Sequence, residues 1–191
     1  MAAVDIVAHE LAHGLADYGP GLLSTGEAGK LSEANADIFA MIVSSHHYGG
    51  TSDIPYWIGE QTIKANWNGN QFTPIQAIRY MDYPQASPGT VACYYPGIAN
   101  LEVHRGAGPA DHMFYLLVYG GASACNGNVV SRIALQDAEE IWWNAFRGLS
   151  PQATYSDFRQ QFIAAAQFLN PGPSTVVVSV VDAFNAVDVT Q

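Results

Sequence analysis

The stretch AVDIVAHELAHGLADYG, residues 3–19, decides how the rest of the chain is read. It has a helical period: Val7, Leu11 and Leu15 recur every four residues, with Val4 near the same face. Into this apolar segment it sets His9 and His13 four apart, with Glu10 directly after the first. Residues i and i+4 lie one turn apart on one face of a helix, so both imidazoles point the same way. Val7 and Leu11 fall on the opposite side and are expected to face the core. Two neutral imidazoles at this separation can hold one Zn²⁺. Glu10 sits about 100° round from His9, too far to share the metal but near enough to reach a water beside it. The pattern is His-Glu-x-x-His, in which each position has a hydrolytic role. Average residue usage would give it in fewer than about one in a hundred chains of this length, so stray surface histidines are the poorer explanation.

A His₂ site needs a third ligand, and KLSEANADIFA supplies one. Glu33 and Asp37 again lie one turn apart on a helix face, beside apolar Ile38, Phe39 and Ile42. Glu33 completes a His₂Glu set and leaves a fourth position for water. Asp37 is placed to accept from the free nitrogen of a ligating histidine and so fix its tautomer.

The chain around these segments has 191 residues, 49% hydrophobic and 12% aromatic, enough for one core and a single domain, 1–191. Seven Lys and Arg against 17 Asp and Glu give a formal net charge of −10, which disfavours nucleic acid and anionic lipid as partners. No apolar run approaches a membrane span. Residues 1–8 are too short, and lack the basic start, for a secretion signal. Met1 so close to the motif helix is expected to mark a piece of a longer natural protein. Cys93 and Cys125 are either one disulfide, which would fit an extracellular protein, or two buried thiols.

Helical patterning dominates. Helices are expected at 2–17, at 32–46 behind a Ser32 cap, at 109–119 with Pro109 in the first turn, at 129–147, at 155–169 behind Ser156, and at 175–187. The valines of the last segment favour a strand, but their spacing keeps a helical period. Residues 50–103, rich in Gly, Pro, Asn and Tyr, read as loops around one or two short helices. The fold class is mainly α, a helical bundle-like domain with a long irregular middle.

VAHELAHGLADYGPGLLSTGEAGKLSEANADIFA resembles the active-site segment of the thermolysin-like metallopeptidases, with Glu33 twenty residues after His13. The resemblance continues through AIRYMDYP, EVHRGAGPADHMFYLL and VVDAFNAVDV to the C-terminus. It implies the helical C-terminal half of a secreted zinc endopeptidase acting on protein or peptide substrates. It also implies a β-rich N-terminal half, absent from this chain, that forms the other wall of the cleft. Arg79 aligns with the arginine that grips the substrate carbonyl, His104 with the histidine that donates to the oxyanion, and Glu102 with the acid that orients it. The sequence departs from the family at Ser24, where a transition-state tyrosine is expected. It departs again at the paired-calcium cluster. Asp5 and Glu60 hold family positions there, but Ser44, Pro55 and Trp57 replace carboxylates, so Ca²⁺ is doubtful. His46, His47 and His112 have no ligand-like spacing and read as surface or core residues. The alternative to a peptidase is a weakly active or non-catalytic zinc-binding domain, which associates with itself or with the missing half. A zinc hydrolase acting on something other than peptides is a third reading.

Overall fold

The computed structural model describes residues 3–49, 56–59 and 77–191, with the backbone alone at 66–67 and 72–73. The motif segment forms α1, Val4–Tyr18, and α2 follows as Gly26–Tyr48. Short strands β1 (Trp57–Ile58), β2 (Asn66–Trp67), β3 (Phe72–Thr73) and β4 (Arg79–Tyr80) come next, then single 3₁₀ turns at Pro84–Ala86 and Ile98–Asn100. Helix α3 is Val103–Tyr119, β5 (Gly121–Ala122) and β6 (Val129–Val130) form a hairpin, and α4 (Leu135–Arg147), α5 (Tyr155–Leu169) and α6 (Thr175–Ala186) complete the chain. The strands pair antiparallel: β1 with β4, β2 with β3, β5 with β6. The mainly α architecture read from the sequence is the one observed, with α2 at its centre between α1 and α3.

Helix α1 buries a different face from the one its large apolar residues suggest. Val7 is 44% and Leu11 64% exposed, whereas Ala8, Ala12 and Ala16 are buried together with Asp5 and His9. The alanines share the four-residue period and are small enough to let α1 lie close on α2, so close approach decides the face rather than side-chain bulk.

Helix α2 opens at Gly26, six residues before the Ser32 start read from sequence, with Thr25 at the cap position. Its first two turns bury Ala28, Gly29, Lys30 and Leu31, and that packing outweighs the turn-forming glycines. Across the core, Trp142 of α4 donates to Asn35 Oδ1 (2.7 Å) while Asn35 donates to Leu31 O (2.6 Å).

Helix α3 begins at Val103, six residues before the expected start, so Glu102 is its N-cap, accepting from Arg105 N, and His104 lies in its first turn. Pro109 is therefore inside the helix and leaves Arg105 O without its helical donor. Val91 N fills the vacancy at 3.1 Å, which docks the 77–91 segment on α3. Gly108 makes room for that contact: a Cβ there would lie 2.1 Å from Val91 O and 2.9 Å from Pro84 Cβ.

Local contacts set the start of α4 and the cap of α5, while α5 and α6 run where the sequence places them. The 129–147 helix starts only at Leu135, because Val130 pairs with Gly121 and Ile133 N donates to Leu117 O. Helix α5 is capped by Thr154, not Ser156, in a capping box with Asp157. The C-terminal valines are helical, since Val180, Ala183 and Phe184 bury together against Phe158 and Phe162 of α5. Cys93 and Cys125 form a disulfide, their Cα atoms 5.5 Å apart.

Gly108→Ala should destabilise the protein by about 3 kcal/mol, because the backbone oxygen it strikes cannot rotate away as a side chain would. Chemical denaturation measures this. A change under about 0.5 kcal/mol would show that the 77–91 segment is not fixed against α3.

Candidate metal centre

Close packing of α1 on α2 brings the two polar faces together. His9 Nε2 lies 3.2 Å from His13 Nε2 and 3.5 Å from Glu33 Oε2, and His13 Nε2 lies 3.8 Å from Glu33 Oε1. One ligand atom from each of the three residues falls within 4.8 Å of the other two. Glu33 Oε2 is buried and makes no hydrogen bond, although His104 Nε2 also approaches it to 3.2 Å. A buried carboxylate oxygen without a donor, facing two imidazole nitrogens, fits a cation and fits poorly with any neutral neighbour.

Behind this cluster Asp37 is fully buried. It accepts from Arg79 Nε and Nη2, both at 2.6 Å, and its Oδ1 lies 2.8 Å from His9 Nδ1. That contact turns the other nitrogen of His9 toward Glu33. Burial works against charge on each of these groups, but their partners outweigh it. The neighbouring carboxylates of Asp37 and Glu33 push His9 up to about 9. The charge on Arg79 holds the Asp37 carboxyl below the usual range, and the three histidines do the same for Glu33. Arg79 reaches the cluster from β4, whose register with β1 (Ile58 opposite Arg79) sets its height. His104 is half-exposed at the rim, and Glu102 Oε1 holds its Nδ1 at 2.5 Å. Glu10 is exposed on α1, next to the histidines but outside the buried cluster.

The other residues read from the sequence fall elsewhere. Ser24 is exposed in the turn before α2. Asp5 is buried and accepts from Ile6 N (2.8 Å) and Gly59 N (2.5 Å), tying α1 to β1. Ser44 is buried with its hydroxyl unpartnered, and Trp57 donates to Asp82. Pro55 and Glu60 lie outside the described residues. Among the described residues Asp5 belongs to no group of three metal-binding side chains. His46 pairs with Glu139 (2.9 Å). His112 is buried between Met81 O (3.1 Å) and Ala124 N (3.5 Å), and burial lowers its pKa.

Two buried ionisable residues escape the sequence reading. Asp111 lies two turns along α3 from His104, with Oδ1 buried and unpartnered. Burial and then the Asp37 charge raise its carboxyl well above the usual range. The seven-residue spacing from His104 is a signal that could have flagged it. The other is Lys30, one turn before Glu33.

The family described as "Thermolysin metallopeptidase, alpha-helical domain" matches residues 21–189. The chain belongs to this family. It is 30% identical to the transglutaminase-activating metalloprotease of Streptomyces mobaraensis over 99% of its own length and 26% of that protein's. It is 32% identical to the bacillolysin of Bacillus caldolyticus over 97% and 33%, respectively. The chain thus spans about a quarter to a third of the length of these metallopeptidase relatives. The protealysin precursor from Serratia proteamaculans has the same fold: its TM-score is 0.72 at 24% identity, covering 97% of this chain and 57% of that one.

Arg79→Met should cost about 3–5 kcal/mol at pH 7, because it strands the Asp37 charge in the interior. Asp37 is held down to about 2, so its pairing adds stability that is present above the ordinary carboxylate value and lost only as pH falls toward 2. Without Arg79, burial raises the carboxyl, so in the variant it takes up a proton on acidification and sheds the stranded charge, and the cost of the substitution should be smaller at pH 4 than at pH 7. An equal loss at both would mean that packing, not the ion pair, carries it.

Proposed function

We propose that this chain is the helical half of a zinc-dependent endopeptidase, with zinc held by His9, His13 and Glu33. The observation that carries the reading is the Glu33 carboxylate meeting both histidines, with Oε1 toward His13 Nε2 and the buried Oε2, which makes no hydrogen bond, toward His9 Nε2. Bound zinc would supply Lewis acidity to a water and to the scissile carbonyl.

Every other role belongs to side chains of the chain. Asp37 keeps the His9 ring oriented, with Arg79 balancing its charge. Glu10, free of the buried cluster, takes the proton of the attacking water and returns it to the leaving amine. His104, held by Glu102, donates toward the oxygen that gains charge as the carbonyl is attacked. Asp37 occupies one edge of the Arg79 guanidinium, and the hydrogens on Nη1 remain for the substrate carbonyl. The disulfide supports an extracellular site of action, and no helix among the described residues is long and apolar enough to cross a membrane.

Purified protein should contain about one zinc per chain, and His13→Ala should abolish it. Glu10→Gln should keep the metal and lose cleavage, since an amide cannot accept the proton. Full zinc in the first variant refutes the ligand set. Activity within about tenfold of the parent in the second, roughly 1.4 kcal/mol of barrier, refutes the base.

The chain spans only part of its relatives' length, and Val7, Leu11 and Tyr18 expose a continuous face of α1 beside Trp143 of α4. We assign that face to the remainder of a longer protein, or to a second copy of the chain. The isolated chain should therefore self-associate in light scattering and turn over peptides weakly, because a substrate held on one side only is poorly positioned. A monomer that cleaves at ordinary rates, about 1–10³ per second, would overturn this. Zinc bound with no cleavage by the full-length protein would favour the non-catalytic reading, which the exposed Ser24 also supports.

A further inference from the structure

Lys30 is among the largest fully buried side chains of the protein, at 1% exposure. A buried ammonium is costly, and burial lowers its pKa against the opposing charges of Glu27 and Glu102. It makes two hydrogen bonds, to Gly26 O (2.9 Å) at the start of its own helix and to Ala99 O (3.1 Å) in the Ile98–Asn100 turn. Its stem crosses α3 at Gly106, where a Cβ would stand 2.5 Å from Lys30 Cδ, 2.6 Å from Cε and 2.9 Å from Cγ. Gly106 O is in turn held from the far side by Tyr155 OH at 2.6 Å.

These contacts have a particular placement. Ala99 lies three residues before Glu102, and Gly106 two residues after His104, so Lys30 grips the chain on both sides of the Glu102–His104 pair. It does so from α2, three residues ahead of Glu33, whose Oε2 is 3.2 Å from His104 Nε2. One rigid strut therefore links the helix carrying Glu33 to both flanks of the residue at the rim.

We propose that Lys30 is a positioning residue for His104. Its ammonium and stem fix where α3 begins relative to α2, and so fix the height of the His104 ring over Glu33. This rests on the reading of His104 as the donor to the attacked carbonyl oxygen. An apolar side chain as long as the stem, such as Met, would fill its space but would leave Ala99 O unbonded, and the turn leading into Glu102 would be free to shift. A displacement of about 1 Å in such a group can cost a hundredfold in rate.

The test uses the full-length protein and Lys30→Met, alone and in a His104→Ala background, with thermal unfolding to establish that each variant is folded. Zinc content should stay near one per chain. Turnover should fall about ten- to hundredfold with KM within about twofold, and Lys30→Met should have almost no further effect once His104 is gone. An unchanged kcat overturns the proposal, as does an equal loss in the His104→Ala background or a loss of zinc, which would place the action at Glu33. If Lys30→Met does not fold, Lys30→Gln serves under the same criteria. If the parent cleaves no peptide, the peptidase reading has failed separately, and ring NMR signals of the zinc-loaded protein decide. A shift at His104 with His112 unmoved supports the strut, and an unmoved His104 overturns it.

Discussion

Asp37 is the residue the rest of the site answers to. Its carboxylate has no exposure to water, and an ion there is tolerated only with a full set of partners. Arg79 supplies two hydrogen bonds and the compensating charge, and His9 Nδ1 supplies a third contact. Those partners come from β4 and α1, while Asp37 itself is on α2. Satisfying one buried charge therefore pins three elements to one another and fixes the side of the His9 ring that faces Glu33. Moving α2 or β4 would leave a bare carboxylate and guanidinium, and moving α1 would take away the third contact of the carboxylate.

The segment carrying Arg79 has little regular structure of its own, so its position must come from what it touches. The β1–β4 pairing gives it one edge, with Ile78 N donating to Ile58 O (2.7 Å) and Met81 N to Tyr56 O (2.9 Å). Ser87 ties it back on itself at Ile78 O, and His112 of α3 meets Met81 O. Pro109 adds the remaining anchor by freeing the Arg105 carbonyl for Val91 N. A residue that would weaken an isolated helix here creates the acceptor that binds a neighbouring loop. The same helix, entered through the Glu102 cap, carries His104 to the rim.

What was legible in the sequence was what a single helix encodes. His9 with His13, and Glu33 with Asp37, are i, i+4 pairs whose shared face follows from 3.6 residues per turn. Once the two helices pack, their meeting needs no further information. The errors arose where another element decides the outcome. Val7 and Leu11 look like core residues on α1 alone, but the alanine face allows the closer approach to α2. Gly26 and Gly29 suggest a turn, and yet α2 runs through them, since Gly29 packs where a Cβ would strike Ser24 and Val103. Pro109 suggests a helix start until Val91 is seen to bond the carbonyl it frees. Lys30 escapes because nothing local announces its burial, and Asp111 is hinted at only by its seven-residue spacing from His104.

The electrostatics of the cluster point in one direction whatever cation it holds. Burial alone would keep His9 neutral, but Asp37 and Glu33 outweigh it and push the ring up to about 9. The neighbours that stabilise a proton there would equally stabilise a metal ion on the same nitrogen, since both place positive charge at one point. A proton and a metal would thus compete for His9, and Asp37 would have opposite effects on the two parts of that competition. Its charge makes the proton harder to displace, while its contact with Nδ1 holds Nε2 in the direction of Glu33 and spares the ring the entropy of finding it. Arg79 moderates the first effect, because its charge opposes the proton on His9, and leaves the second intact. The arginine is therefore more than a counter-ion for a buried acid. It weakens the hold of Asp37 on the His9 proton while leaving the imidazole oriented.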